Sequence, residues 1–129
     1  MNYLLDTHTF LWWIAESQEI PPALVKKLGH ASGSVYFSVV SLWELGLKRG
    51  IGKLRLPEPI DTYVLKQIQA NRIELLPLHA PHVFRSLELA PHHRDPFDRM
   101  LVAQALVENL TLVSRDQALR AYPAKIVWD

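Results

Sequence analysis

The chain has 129 residues, of which 49% are apolar, so it can build one hydrophobic core and is too apolar to be disordered. It contains no cysteine, which excludes disulfides and thiolate metal sites, and it has neither the basic start of a signal peptide nor the ~18 consecutive apolar residues of a membrane span. The formal net charge of +1 indicates no particular partner, and we expect a cytoplasmic single domain over residues 1–129 that does not contact membranes.

Short apolar runs alternate with helical patterns in the first half of the chain. The run Tyr3-Leu4-Leu5 predicts a strand at residues 2–6 that stops at Asp6, and a helix follows to about Glu16. The next predicted elements are a helix that Pro21-Pro22 opens and Gly29 or Gly33 ends, a strand at 34–39, and a helix broken by Gly50 and Gly52.

The second half continues the same alternation. Its predicted elements are a helix at 60–70, a strand at 74–76, a helix at about 81–89, a helix opened by Asp95-Pro96-Phe97-Asp98, a strand at 111–113, a short helix at 116–121 and a strand at 126–128. Such an order favours a parallel sheet covered on both faces. We therefore predict a five-stranded, three-layer α/β/α sandwich.

Two aspartates follow predicted strands directly or after a two-residue turn. Asp6 ends the first strand, and Asp116 comes after the strand at 111–113 and the pair Ser114-Arg115. In open α/β sheets, ligands bind at the carboxyl ends of the strands, so both acids are candidate site residues. Either could instead cap the helix that follows it, and Thr7 could take over the cap from Asp6.

Two further acids complete the candidate set. Glu44 lies among apolar residues, where an acid needs a cation, although Ser41 and Glu44 also match a capping box. In the stretch Asp95-Pro96-Phe97-Asp98 we assign the helix cap to Asp95 and the metal to Asp98, and the two roles could be exchanged.

If the four carboxylates converge, they predict a metal site. They are hard ligands suited to Mg²⁺ or Mn²⁺, and two such ions ~3.5–4 Å apart can clamp a phosphodiester during hydrolysis. Without a cation, two like charges ~4 Å apart repel by roughly 4 kcal/mol at an effective dielectric of 20. Raised pKa values are the other way to relieve that repulsion.

Basic residues could contact a phosphate backbone. If four of the 13 acids bind metal, nine remain against 14 Lys and Arg, a surplus of 14 − 9 = 5 positive charges. Four of these bases share one short segment, namely Lys48, Arg49, Lys53 and Arg55. On charge alone, an ordinary solvated surface is the better explanation.

Histidines and tryptophans are weaker signals. His8, His92 and His93 lie near the acids in sequence, but we expect solvated surface rather than metal binding for them. Trp12 and Trp13 belong to an apolar run too long for one helix face, so some of it packs in the core or against a partner, with the core favoured.

Four segments together resemble the PIN-domain ribonucleases, and the similarity is greatest to VapC-type toxins of bacterial toxin–antitoxin pairs. These segments are Leu4-Leu5-Asp6-Thr7-His8, the stretch from Ser38 to Glu44, the stretch from Asp95 to Ala105, and Ser114-Arg115-Asp116. The resemblance implies a sheet of order 3-2-1-4-5. It also implies a homodimer and a small antitoxin whose tail occupies the acidic groove.

By the same resemblance, Asp6, Glu44, Asp98 and Asp116 bind Mg²⁺ or Mn²⁺ and orient the water that cuts RNA, leaving a 3′-hydroxyl and a 5′-phosphate. The residues that the resemblance places near the substrate are Thr7, Arg99, Ser114 and Arg115, with the two arginines as candidates for phosphate contacts. The extra Asp95 beside Asp98 is a departure from the family pattern.

Other functions for an acidic strand end are weaker. An aspartyl-phosphate phosphatase needs a second Asp two residues after the first, and that position is His8. A receiver-type phosphoacceptor needs paired acids after the first strand and a late Lys, and Lys125 lies unsuitably before the last strand. A non-catalytic PIN interaction domain is the remaining alternative.

Overall fold

The computed structural model describes residues 1–50, 52 and 55–129. Lys53, one of the four bases in the short basic segment, lies outside the described residues. None of the helices in these ranges combines the length and the apolar character needed to cross a membrane.

Strands and helices alternate along the chain as predicted. The elements are β1 (Tyr3–Leu5), α1 (Thr7–Ile14), α2 (Pro22–Gly29), β2 (Val35–Ser38), α3 (Val39–Gly50), α4 (Ile60–Ala70), β3 (Ile73–Leu76), α5 (Ala80–Glu88), α6 (Pro96–Glu108), β4 (Thr111–Val113), the 3₁₀-helix η1 (Gln117–Ala121) and β5 (Ile126–Val127). The five strands form one parallel sheet of order β3-β2-β1-β4-β5, which confirms the predicted fold and strand order.

The central strand β1 shows why helices cover both faces. Its residues alternate between two apolar clusters: Leu4 packs with α6, whereas Tyr3 and Leu5 pack with Phe10 of α1. Alternate side chains of a strand point to opposite faces, so a strand buried on both sides must be apolar throughout. All three residues of β1 are buried, as this arrangement requires.

The strand order reverses between β1 and β4. Leu5 pairs with Val113, and the Asp6 N–H donates to the Val113 carbonyl at 3.1 Å, so both strands end at the same height. Such a switch point opens a crevice at the carboxyl edge of the sheet, because the connections leave it in opposite directions. The chain places Asp6 and the segment that leads to Asp116 there.

A buried polar network fixes α6 against the sheet. The Ser38 hydroxyl at the end of β2 donates to the side-chain carbonyl of Gln104, 2.6 Å away, and both residues are fully buried. On α5, the buried ring of His82 lies with Nε2 3.0 Å from Glu108 Oε2. These contacts hold the middle of α6 to β2 and its carboxyl end to α5.

Candidate metal centre

Asp6 has two roles, one for each carboxylate oxygen. It is the N-cap of α1, and its Oδ1 accepts hydrogen bonds from the backbone N–H and the hydroxyl of Thr9, at 2.8 and 2.6 Å. Asp6, rather than Thr7, is therefore the cap. Oδ2 accepts no hydrogen bond from any residue in the described part of the chain, and Asp6 lines a cavity at the sheet edge.

Glu44 is buried in the middle of α3 and is satisfied by two partners. Its Oε1 accepts from the Thr7 hydroxyl at 2.6 Å, and its Oε2 pairs with Lys48 Nζ at 2.9 Å, one helical turn later. The capping-box alternative is wrong because α3 begins at Val39, which puts Ser41 inside the helix. Glu44, an acid in an apolar stretch, is thus paired with the cation Lys48, as its sequence context predicted.

Asp95 and Asp98 have different roles at the start of α6, and Asp95 is the helix cap as predicted. Asp95 is the N-cap and accepts from the Phe97 N–H at 2.9 Å, while Asp98 lies in the first turn. Burial, followed by the negative charges of Asp95 and Asp6, raises the pKa of Asp98 to about 7, although His93 acts in the opposite direction. Glu44 also raises this pKa, so acids from three separate elements act on Asp98.

Asp116 also caps a helix while keeping a second oxygen at the site. Its Oδ1 accepts from the Ala118 N–H at 3.0 Å, and its own N–H donates to the Ser114 hydroxyl at 3.1 Å, which shapes the turn after β4. Burial acts to raise the pKa of Asp116, but hydrogen bonds from the His93 side chain and the Ala118 N–H outweigh it and lower the pKa.

His93 joins two of the acids, a contact that the sequence did not predict. Its Nδ1 accepts the Asp95 N–H at 3.0 Å, so Nε2 is the ring nitrogen left to donate. Nε2 lies 2.7 Å from Asp116 Oδ2 and 3.5 Å from Asp98 Oδ2. The expectation of solvated surface is wrong for His93, whose side chain is only 16% exposed. Its position two residues before a capping Asp is the signal that could have indicated the contact.

The four residues proposed for substrate contact differ in their position relative to the acidic cavity. Thr7 and Ser114 hold the acids Glu44 and Asp116, as described above. Arg115 lines the acidic cavity. Arg99 is directed elsewhere: its guanidinium lies 3.4 Å from the carbonyl oxygens of Ser86 and Leu89, and it is not among the residues that line this cavity.

The cavity has a volume of about 200 Å³ and combines acidic and aromatic walls. Its lining residues are Asp6, His8, Trp12, Asp98, Arg115 and Asp116. Oxygen donors of this kind fit Mg²⁺ or Mn²⁺, and a cation would relieve the repulsion that raises the Asp98 pKa. The set Asp6, Asp98 and Asp116 is therefore suited to a divalent ion, whereas Glu44 does not line the cavity and acts on Asp98 through its charge.

Comparisons with known proteins identify the family of this chain and a relative of similar sequence. The sequence model of the PIN domain matches residues 3–125. Ribonuclease VapC22 of Mycobacterium tuberculosis is 28% identical over 121 residues, which cover 92% of this chain and 90% of the relative.

Two solved structures have a similar fold. The VapBC2 structure from Rickettsia felis, bound to a DNA fragment from its promoter, aligns with a TM-score of 0.76 at 21% identity and full coverage of both chains. The DNA-bound VapBC structure from Salmonella typhimurium aligns with a TM-score of 0.75 at 22% identity, covering 100% of this chain and 99% of the other. At these identities the likeness concerns the fold.

Proposed function

This chain belongs to the PIN domain family, and from that premise we propose that it is a divalent-metal-dependent endoribonuclease and the toxin of a type II toxin–antitoxin pair. The observation that carries the proposal is the meeting of Asp6, Asp98 and Asp116 in one cavity at the strand-order switch point. The relative named as a ribonuclease supports the same substrate class.

The metal would be held by Asp6, Asp98 and Asp116, with Glu44 in support. Mg²⁺ or Mn²⁺ bound there supplies a Lewis acid and a water of lowered pKa for attack on a phosphodiester. The chain's own contribution is to fix the acids in place. The hydroxyl of Thr9, which also lies 3.1 Å from the Val113 carbonyl, ties Asp6 to the neighbouring strand.

Glu44 is suited to a supporting position behind the other acids. Its two oxygens already have partners in Thr7 and Lys48, so it adds negative charge without a fully free oxygen. Lys48 in turn reduces the repulsion that Glu44 exerts on Asp98. His93 lies between Asp98 and Asp116, with its Nε2 3.5 and 2.7 Å from their Oδ2 atoms, and so spaces the two acids.

The similar structures support a proposal for the protein partners of this chain. The two solved structures are VapBC complexes, so we assign this chain a small cognate antitoxin. Helix α5 exposes Phe84 by 64% and Leu87 by 75%, and an apolar face of this kind supports the homodimer. A toxin that acts on cellular RNA would work in the cytoplasm.

The phosphoacceptor alternatives have less support. Oδ1 of Asp6 is occupied by the two hydrogen bonds from Thr9, and the residue two positions later is His8 rather than an acid. A non-catalytic PIN domain would have no need for an acid with a pKa near 7 facing three others.

The nuclease proposal is tested by incubating the purified protein, free of antitoxin, with single-stranded RNA. Cleavage that requires Mn²⁺ or Mg²⁺, stops with EDTA and leaves 5′-phosphate ends is the expected result. RNA that stays intact with every divalent ion, or cleavage that EDTA does not affect, would contradict it. Labelling of Asp6 by acetyl phosphate would instead favour a phosphoacceptor.

A further inference from the structure

The wall opposite the acids carries groups that the metal chemistry does not use. His8 and Trp12 stand four residues apart on α1, so both project from the same face of that helix. Arg115 reaches the same cavity from the turn after β4. Two aromatic rings and a guanidinium thus face the metal ligands across about 200 Å³.

These three side chains form a continuous stack. The His8 and Trp12 rings are 5.6 Å apart between centroids with an interplanar angle of 26°. The Arg115 guanidinium carbon lies 4.4 Å from the Trp12 ring centroid. Trp128 supports Trp12 edge-on, with its centroid 5.8 Å away. Trp12 is therefore held in one orientation, while His8 at one end of the stack is exposed.

Arg115 is better placed for stacking than for neutralising a phosphate. Its Nη1 pairs with Glu19 at 2.6 Å and its guanidinium carbon lies over the Trp12 ring, so the group is directed toward the aromatic wall. The side chain is still 51% exposed. Guanidinium planes and aromatic rings are the surfaces on which proteins stack unpaired bases.

Neighbouring tryptophans show that this arrangement is specific to Trp12. Trp13, the next residue, lines a different and more apolar cavity together with Ile14 and Val25. Trp43 is 63% exposed and packs edge-on against Phe97, outside the acidic cavity. Only Trp12, among the tryptophans of the described ranges, shares a cavity with the acids.

We propose that His8, Trp12 and Arg115 form a nucleobase subsite that stacks one unpaired base next to the phosphodiester bound at the acids. The assignment rests on the proposed ribonuclease function and narrows its substrate to single-stranded RNA or to loops. A base inside a duplex presents no free face to such a stack. The small cavity admits a single base beside the metal centre.

The test compares two probes that carry the same phosphates. One is a 12-nucleotide oligoadenylate, and the other is an abasic ribose-phosphate chain of equal length. Binding is measured by anisotropy with the unsubstituted protein in EDTA, where the proposed metal-dependent cleavage stops and both probes meet the same acids. Because stacking on an aromatic residue contributes about 1–3 kcal/mol per base, we expect the oligoadenylate to bind roughly tenfold more tightly.

Variants then locate the effect. Trp12→Leu should bring the ratio of the two dissociation constants close to one, and His8→Ala, which alters an exposed residue, should lower it without a risk to folding. Trp12→Phe should keep most of the preference because it keeps a ring, while the quenching of indole fluorescence by oligoadenylate should disappear. Trp43→Leu is the matched control and should leave the ratio unchanged.

Two results would overturn the subsite. One is an equal affinity of the two probes for the protein with His8 and Trp12 intact, which would leave the aromatic wall to a protein partner. The other is a preference for bases that survives both Trp12→Leu and His8→Ala. Failure of the nuclease proposal would be seen separately, as RNA left intact by the unsubstituted protein in Mn²⁺.

Discussion

The inner and outer halves of the acidic site are built differently. The inner half, Asp6 and Glu44, is 7% and 4% exposed and is bound by threonine hydroxyls and Lys48. In the outer half, the side chains of Asp98 and Asp116 are 20% and 39% exposed, and both lie near Nε2 of His93.

This difference indicates which of the acids is most destabilised, in its charged form, by its surroundings. The inner acids accept hydrogen bonds from threonine hydroxyls, and Glu44 also pairs with Lys48, so both acids are part of the fold. Burial, followed by the charges of Asp95, Asp6 and Glu44, raises the pKa of Asp98 to about 7, and its contact to His93 is long at 3.5 Å. Asp98 is thus the acid whose charged form a bound cation would stabilise most.

The largest expected effect is the loss of cleavage in Asp98→Asn. Removing even an outer-shell group from a metal site costs about 10–100-fold, so the loss of a direct ligand should lower kcat/KM by at least about a thousandfold. The matched control is Asp95→Asn, since Asn keeps the helix cap three residues away. RNA cleavage rates of both variants in Mn²⁺ give the answer. Comparable losses in the two would mean that Asp95 shares the ligand role.

The same Asp98→Asn change should stabilise the metal-free protein. A carboxyl with a pKa of about 7 when folded and 3.8 when unfolded binds its proton more tightly in the folded state, so stability falls as the pH rises through this window. Replacing it should raise the free energy of unfolding at pH 8 by up to about 4 kcal/mol, with little gain near pH 4.

Urea unfolding in EDTA at the two pH values measures this gain. Adding Mn²⁺ should then stabilise the unsubstituted protein and not the variant, because the ion binds the folded state through Asp98. Equal unfolding free energies for the two proteins at pH 8 would contradict the claim that the charged carboxylate of Asp98 destabilises the metal-free protein.

The inner half should respond in the opposite direction. Asp6→Ala removes the cap of α1 and both bonds from Thr9, so it should destabilise the protein by about 1–2 kcal/mol at neutral pH. Asp6→Asn keeps a capping oxygen and should recover most of that loss while remaining inactive. Thermal unfolding of the pair separates the two roles of Asp6. An Asp6→Ala protein as stable as the original would show that the cap contributes nothing.

The smallest expected effect concerns His93. His93→Ala leaves Asp116 without its donor at Oδ2, so we expect Mn²⁺ affinity to fall about tenfold, as for other groups that orient a ligand. His92→Ala, at the adjacent position, is the control, because the His92 ring packs against Tyr122 instead. Calorimetric titration with Mn²⁺ distinguishes them. An unchanged affinity in His93→Ala would remove His93 from the site.

Much of the fold followed from local sequence patterns. Helix α4 and strand β4 were predicted at residues 60–70 and 111–113, where the structure has them. Their limits are set by nearby residues: a proline precedes α4, and β4 is a short apolar run. The start of α3 was ambiguous because Ser41 imitates a helix cap, and only packing against the sheet resolves it.

The site was predictable in composition but not in its contacts. Strand ends identify Asp6 and Asp116, because parallel strands end at one edge of the sheet. The link from His93 to Asp116 spans 23 residues and depends on how the loop before α6 folds back. The direction of Arg99 likewise depends on α5, whose last carbonyls it approaches. Such long-range contacts leave no periodic signal in the sequence.

The central claim is that carboxylates from β1, α6 and the turn after β4 share one divalent ion. Anomalous diffraction from crystals soaked in Mn²⁺ tests it directly. We predict a peak in the cavity within coordination distance of Asp6, Asp98 and Asp116 that is lost in Asp98→Asn crystals. A cavity without a peak at saturating Mn²⁺, or an ion bound away from these three side chains, would contradict the account.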